Sequence, residues 1–275
     1  MVGAGGAQYI EPMPRSAARA ALNPLPPPSS SDLRRWLGRA VGWRPATRCL
    51  LCQSWAPALV CPRCEHRWAP QVPRCVRCAI NLRGLPARDG VCLDCEAHGP
   101  EFDRALAALD YEAPWSTLLA RLKFQDACHL APWLAGRLAQ AWWASPQRAS
   151  VIVPLPISAQ RLRERGYNQS GLLAQALGRR LRLPVAHDAL QRVKHTERLM
   201  KLSPEARQAE ISGAFGVSPA LRRQVLGRHV AVVDDVMTTG ATLSEASLIL
   251  REAGARSVSA WVVARTGRSP HRSQA

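Results

Sequence analysis

The sequence predicts an α/β domain preceded by a small cysteine-rich module held together by metal, and three observations carry that prediction. Eight of the nine cysteines fall in four C-x-x-C pairs between residues 49 and 95. Beyond Pro100, short apolar runs alternate with stretches of helical period, the pattern of strands and crossover helices. The last of these units starts at Val230 and reaches Asp234-Asp235 through an apolar run. A turn of small and hydroxylated residues follows, then a helical face of Leu243, Ala246, Ser247 and Leu250. The predicted boundaries are an N-terminal extension over 1–47, the cysteine-rich module over 48–99 and the α/β domain over 100–268.

A chain of 275 residues can hold one sizeable core plus a small module. Its 47% hydrophobic and 21% charged residues are those of a globular protein. The formal net charge of +17 favours polyanions, either nucleic acid or a highly charged phosphate ester. Arg far outnumbers Lys, so a basic proteome habit would produce the same charge. No stretch approaches the ~20 apolar residues of a membrane span. The first residues contain no apolar secretory core, so the expected location is the cytoplasm.

Residues 1–31 are rich in Gly, Ala, Pro and Ser and lack periodicity, which predicts disorder. Asp32 can cap a short helix with Leu33, Trp36, Leu37, Ala40 and Val41 on one face. The pairs Cys49/Cys52, Cys61/Cys64, Cys75/Cys78 and Cys92/Cys95 come next. A C-x-x-C knuckle lets two thiolates reach one ion, and two knuckles complete a tetrahedral shell, so eight ligands predict two zinc ions. Consecutive pairing is the preferred arrangement, and spacing equally permits a cross-braced one. Four thiolates leave no position for water, which makes both sites structural. All-cysteine ligation keeps an iron–sulfur cluster as the lesser alternative. Arg63, Arg67, Arg74, Arg77 and Arg83 lie among the knuckles as phosphate contacts or as solvated surface.

In the α/β domain a strand over 106–111 precedes helices near 115–124 and 130–143. Leu118, Leu119 and Leu122 form an apolar face with Lys123 at its margin, and Cys128 is expected to be a buried, inert thiol. Val151-Ile152-Val153 reads as a buried strand running into a turn stiffened by Pro154, Leu155 and Pro156. The basic run Arg161, Arg163 and Arg165 follows, with Asn168 placed to cap a helix to about Leu181. Strands at 189–193 and 214–217 bracket a polar, basic segment containing Lys194, Arg198 and Arg207. Val258 to Ala264 is the final strand.

A strand that ends in a small-residue turn opening a helix makes a phosphate site, because the turn and the helix N-terminus present free N–H groups and partial positive charge. Adjacent carboxylates suit the vicinal hydroxyls of a ribose or a Mg²⁺. Neither G-x-x-x-x-G-K-[ST] nor a strand followed by G-x-G-x-x-G occurs, which excludes the P-loop and the dinucleotide fingerprint.

The run V-V-D-D-V-M-T-T-G-A-T at 232–242 resembles the phosphoribosyl pyrophosphate (PRPP) loop of type I phosphoribosyltransferases. With the four C-x-x-C pairs, R-G-Y-N-Q at 165–169, L-S-x-x-x-R at 202–207 and G-A-F at 213–215, the chain is similar to the ComF family over about 48–265. That resemblance implies a central, mostly parallel sheet flanked by helices, with a hood, behind a double zinc ribbon. It implies a phosphoribosyltransferase that takes PRPP with Mg²⁺, and a link to natural competence and single-stranded DNA.

Role by role, the resemblance makes Asp234, Asp235, Arg163 and Arg165 the candidate catalytic residues, with the two aspartates on the ribose hydroxyls. Thr238, Thr239, Gly240, Ala241 and Thr242 would cradle the 5′-phosphate, and Pro154, Leu155, Pro156, Arg161 and Lys194 would face pyrophosphate. Two positions in the hood depart from the family pattern, Leu199 for Gln and Glu210 for Asn. Thr238 stands where purine-salvage relatives carry an Asp, and a hydroxyl cannot act as a general base near neutral pH. Three readings follow: a transferase of unknown acceptor, a DNA-binding competence factor, and a PRPP-sensing regulator.

Overall fold

The structure is a computed structural model that describes residues 47–145, 147–193 and 213–267. The predicted N-terminal disorder and helix, Lys194, Arg198, Leu199, Arg207 and Glu210 lie outside the described residues. All those described belong to one compact unit.

Two small cysteine-knuckle modules lead. The first has an antiparallel pair, β1 (Thr47–Arg48) and β2 (Trp55–Ala56), and helix α1 (Pro62–Trp68). The second has the pair β3 (Ala87–Arg88) and β4 (Val91–Cys92), and helix α2 (Leu93–Ala97). Strand β5 (Arg104–Asp110), helix α3 (Trp115–Phe124), helix α4 (Ala131–Ala144) and strand β6 (Val151–Pro154) follow. Next come α5 (Ala159–Arg165), α6 (Gln169–Leu181), β7 (Gln191–Arg192) and β8 (Phe215–Gly216). The chain ends in β9 (His229–Met237), α7 (Ala241–Glu252) and β10 (Ser257–Arg265).

The central sheet has the order β5-β10-β9-β6, and every pairing in it is parallel. Parallel strands covered on both faces read as continuous apolar runs, as β6, β9 and β10 do. Alternation along each strand divides two cores. Leu106, Ile152, Ala231, Val233 and Trp261 face α3, α4 and α6, together with Cys49, Cys61 and Cys64 of the first module. Ala105, Val153, Val232, Ala260 and Val262 face Leu243, Ala246 and Leu250 of α7, together with Ala79 of the second module. The two modules therefore sit against opposite faces of one sheet.

Two boundaries differ from the sequence reading. Strand β9 does not stop at the carboxylates. It continues to Met237 because β10 pairs with it that far, Asp234 opposite Val262 and Met237 opposite Arg265. The strands expected at 189–193 and 214–217 shrink to β7 and β8, a two-residue antiparallel pair.

Candidate ribose-phosphate site and paired metal centres

Asp234 and Asp235 lie within the last turnings of β9, held in register by the sheet. Asp235 is 2% exposed, and its carboxylate meets the Lys123 ammonium of α3 at 2.9 Å. Burial opposes the charge on Lys123, but Asp235 and then Asp234 outweigh it and hold the ammonium above its usual range. Asp234 accepts the Ser170 hydroxyl of α6 at 2.8 Å and the Asp235 amide at 2.9 Å. Burial and the neighbouring Asp235 charge nevertheless push Asp234 up to about 7. The pair is thus unequal: Asp235 is neutralised by a lysine, while Asp234 titrates near neutrality.

Beyond Met237 the backbone turns at Gly240, whose φ of 88° lies in the left-handed region that favours glycine. A Cβ there would meet its nearest neighbours, Met237 and Phe102, at 3.5 Å and beyond, ordinary van der Waals contact, so the backbone angle and not crowding demands glycine. Thr238 and Thr239 are exposed, and Thr239 Oγ1 accepts the Ala241 amide at 3.4 Å. The helix's own ladder begins with Ser244 N–H donating to Gly240, which leaves the first-turn amide of Thr242 for an anion, beside the Ala241 amide that only the Thr239 hydroxyl holds.

The register Pro154 opposite Val233 brings Leu155 and Pro156 to the same carboxyl end of the sheet. Ser158 caps α5 by accepting the Arg161 amide, and Asn168 caps α6 as the sequence predicts, while its amide donates to the Leu155 carbonyl at 3.1 Å. Asn168 so ties the basic segment to the loop after β6. Arg165 lies over the Phe124 ring at 5.0 Å and donates to Gln169. At 100° per residue Arg161 and Arg165 share a helix face, and Arg163 points elsewhere and is exposed. Arg192 lies over Phe215 at 5.3 Å; burial and then the Arg161 charge hold its pKa down, with Asp234 opposing.

The cysteines group consecutively, Cys49, Cys52, Cys61 and Cys64 in one cluster and Cys75, Cys78, Cys92 and Cys95 in the other. Within each, all sulfurs lie within 4.8 Å of one another. This selects the consecutive pairing over the cross-braced one. A tetrahedron with Zn–S of ~2.3 Å requires sulfurs about 3.8 Å apart. Cys52 to Cys61 is 3.6 Å and Cys78 to Cys92 is 3.8 Å, so the donors fit. Without a cation the thiols of the first cluster split: burial and the neighbouring thiols push Cys64 up to about 12, while hydrogen bonds from Ser54 bring Cys52 down to about 6. A dication reverses that balance.

Residues 168–275 match the phosphoribosyl transferase domain. Over 230 residues the chain is 32% identical to Competence protein F of Haemophilus influenzae, covering 79% of this chain and 96% of that protein. The chain belongs to the ComF family. Other members it resembles are the DNA utilization protein YhgH of Escherichia coli K12, 31% identical over 79% of this chain and 96% of the relative. Competence protein ComFC of Bacillus subtilis is 27% identical over 79% of this chain and 95% of the relative. As a ComF protein it has a type I phosphoribosyltransferase fold behind two Cys₄ groups. Among the described residues no helix is long and apolar enough to cross a membrane.

Four side chains of this ComF site escaped the sequence reading. Lys123 looked like the margin of an apolar helix face, and only the tertiary fold delivers it to Asp235. Ser170 follows directly on R-G-Y-N-Q, where capping drew attention to Asn168 alone. Arg192 is hidden by its place in a short strand. Arg265 carried a readable signal, a charge at the end of an otherwise apolar strand.

Proposed function

We propose that this ComF protein binds PRPP with Mg²⁺ at the carboxyl end of β9 and transfers its phosphoribosyl group to an acceptor. The observation that supports this most is the buried carboxylate pair of β9 followed by a left-handed glycine and the first turn of α7, where the Thr242 amide has no partner in the helix ladder. Asp234 and Asp235 accept the ribose hydroxyls, while Thr238, Thr239, Gly240, Ala241 and Thr242 hold the 5′-phosphate. Arg161 and Arg165 attract the pyrophosphate, with Arg163 further out and the loop Pro154-Leu155-Pro156 shaping its seat. Magnesium bound with the pyrophosphate would neutralise charge on the leaving group. The transfer breaks the bond from C1 to pyrophosphate and forms a bond from C1 to the acceptor. The cysteine clusters hold zinc as structural ions.

Thr238 supports a second reading, in which PRPP binds without turnover and the fold acts as a sensor. The relatives' names, Competence protein F and DNA utilization protein, favour DNA as a further partner. Exposed Trp55 and Trp68, each beside an arginine at 5.5 and 4.9 Å, are of the type that stacks on unpaired bases. Calorimetric titration with PRPP and Mg²⁺ tests the shared core of these readings. Wild type should bind and Asp235→Asn should not; absence of binding by wild type refutes both the transferase and the sensor.

A further inference from the structure

Arg265 stands at the end of β10, 8% exposed, and its guanidinium reaches in two directions. Its Nε donates to the carbonyl of Cys78, a ligand of the second cluster, at 2.9 Å. Its Nη1 donates to the Thr238 carbonyl in the phosphate loop and lies 3.3 Å from that of Met237. The same Nη1 meets the carbonyl and hydroxyl of Thr266 at 2.9 and 3.1 Å. One planar cation therefore joins a metal knuckle to the turn that would hold the 5′-phosphate.

Independent contacts converge on the same joint. Ala79, at the tip of that knuckle, is 1% exposed in the core that also holds Phe102, Met237 and Leu243. Phe102 lies beneath Gly240. Asp110, paired in register with Arg265, accepts Arg74 at 2.7 Å and Asn81 at 2.9 Å, residues just outside the two knuckle cysteines. Among the described residues the first cluster has no such connection, since Cys49, Cys61 and Cys64 pack with the helices of the other face.

We infer that Arg265 is a positioning residue through which the second Cys₄ cluster holds the phosphate loop in its anion-binding shape. The knuckle fixes the direction of the Cys78 carbonyl, because the Ala79 amide bonds back to Cys75 at 2.7 Å with Ala79 left-handed at φ 57°. The carbonyl fixes the plane of the guanidinium, and the guanidinium restrains Met237 and Thr238. Loss of metal from the second cluster frees the first link of this chain; loss from the first cluster does not. Its consequence for affinity rests on the PRPP reading, whereas the restraint on the loop does not.

Hydrogen exchange of the bonded amides of Ala241 and Ser244, measured on the metal-loaded protein, decides the matter. Arg265→Lys keeps a positive charge but cannot span both carbonyls. It should bind metal at wild-type stoichiometry yet lose roughly tenfold protection in the loop, as expected for one or two charge-assisted hydrogen bonds. Amides of 231–233 in β9 should be unchanged, which separates positioning from general destabilisation. Cys92→Ser should loosen the loop similarly and Cys52→Ser should not. Wild-type loop protection in Arg265→Lys overturns the inference, as does equal loosening by Cys52→Ser and Cys92→Ser. A wild-type protein that fails to bind PRPP removes the functional proposal, and the exchange comparison still decides the role of Arg265.

Discussion

The two cysteine modules are close copies in local geometry and unlike in what they support. In each, the second C-x-x-C opens a short helix, with Cys61 at φ −73°, ψ 154° and Cys92 at φ −75°, ψ 153°. In each, that cysteine's amide donates to the first sulfur, at 3.3 Å in one module and 3.4 Å in the other. In each, the residue after the first knuckle is left-handed, Gln53 at φ 61° and Ala79 at φ 57°. The difference is the side chain at that tip. Gln53 is exposed, and Ala79 is buried in the core that also holds Met237 and Leu243, on either side of the turn at 238–242. One fold unit used twice packs against the α3, α4 and α6 layer in one copy and against the core beside the 238–242 turn in the other.

Exchanging the tips breaks this comparison most severely. Ala79→Gln drives an amide into a packed core and should cost on the order of 2–4 kcal/mol, from overpacking plus an unpaired polar group. Gln53→Ala, at a solvent-facing tip, should stay within about 0.5 kcal/mol. Urea unfolding of both metal-loaded variants reads the difference directly. Equal costs would mean that the two modules are not distinguished by their tips.

Asp235 tests the opposite face, since it shares the parity of Ala231 and Val233 and takes its partner from α3. Breaking a fully buried pair costs about 3–5 kcal/mol, mostly by stranding the other charge. Here 27% of the Lys123 side chain meets solvent, so Asp235→Ala should cost less, on the order of 2 kcal/mol. Replacing both residues by Ala and Met should recover most of that loss, a double-mutant cycle that isolates the pair.

The legible parts of this protein are those in which local chemistry and tertiary role coincide. Eight cysteines at knuckle spacing announce two Cys₄ groups, because the thiols that gather in each module are also adjacent in sequence. The loop at 232–242 is legible because backbone turn, hydroxyls and carboxylates are contiguous. Asn168 is legible as a cap, and its second bond to Leu155 is not, since that partner is set by the β6–β9 register. Lys123, Ser170 and Arg265 each reach the site from a different element, and nothing in their own neighbourhoods specifies the target. The pairing of cysteines belongs to this second kind: spacing allowed two answers and the fold chose one.

Asp234 sharpens the contrast between the two carboxylates through pH. Its folded value of about 7 exceeds the ordinary 3.8, so between roughly pH 4 and 7 the folded state keeps a proton that the unfolded chain has lost. Stability should therefore fall as pH rises through that window and level off above it. Asp234→Asn removes this slope, leaving the variant more stable than wild type at pH 8, with the gap closing toward pH 4. Ribose hydroxyls donate to the ionised form, so PRPP affinity should instead rise as pH passes about 7, and the variant should lose that rise. Denaturant titrations and calorimetry across pH 5–8 read the two opposite trends.

The smallest effect is expected among the arginines of α5. Arg161 and Arg165 stand one turn apart; Arg165 is held over Phe124 and donates to Gln169, and the Arg161 charge lies close enough to Arg192 to lower its pKa. Arg163 is exposed on another side of the helix, where water screens its charge. Arg163→Ala should weaken PRPP binding by no more than about threefold at physiological salt, the scale of a screened surface charge. Arg165→Ala should weaken it by about tenfold or more, as for a charge-assisted hydrogen bond to phosphate. Lowering the salt should enlarge the Arg163 effect and leave the Arg165 effect nearly constant, because only a long-range, solvent-borne contribution is screened. If the two variants show the same affinity and the same salt response, pyrophosphate is held by the whole basic segment and not by one face of its helix.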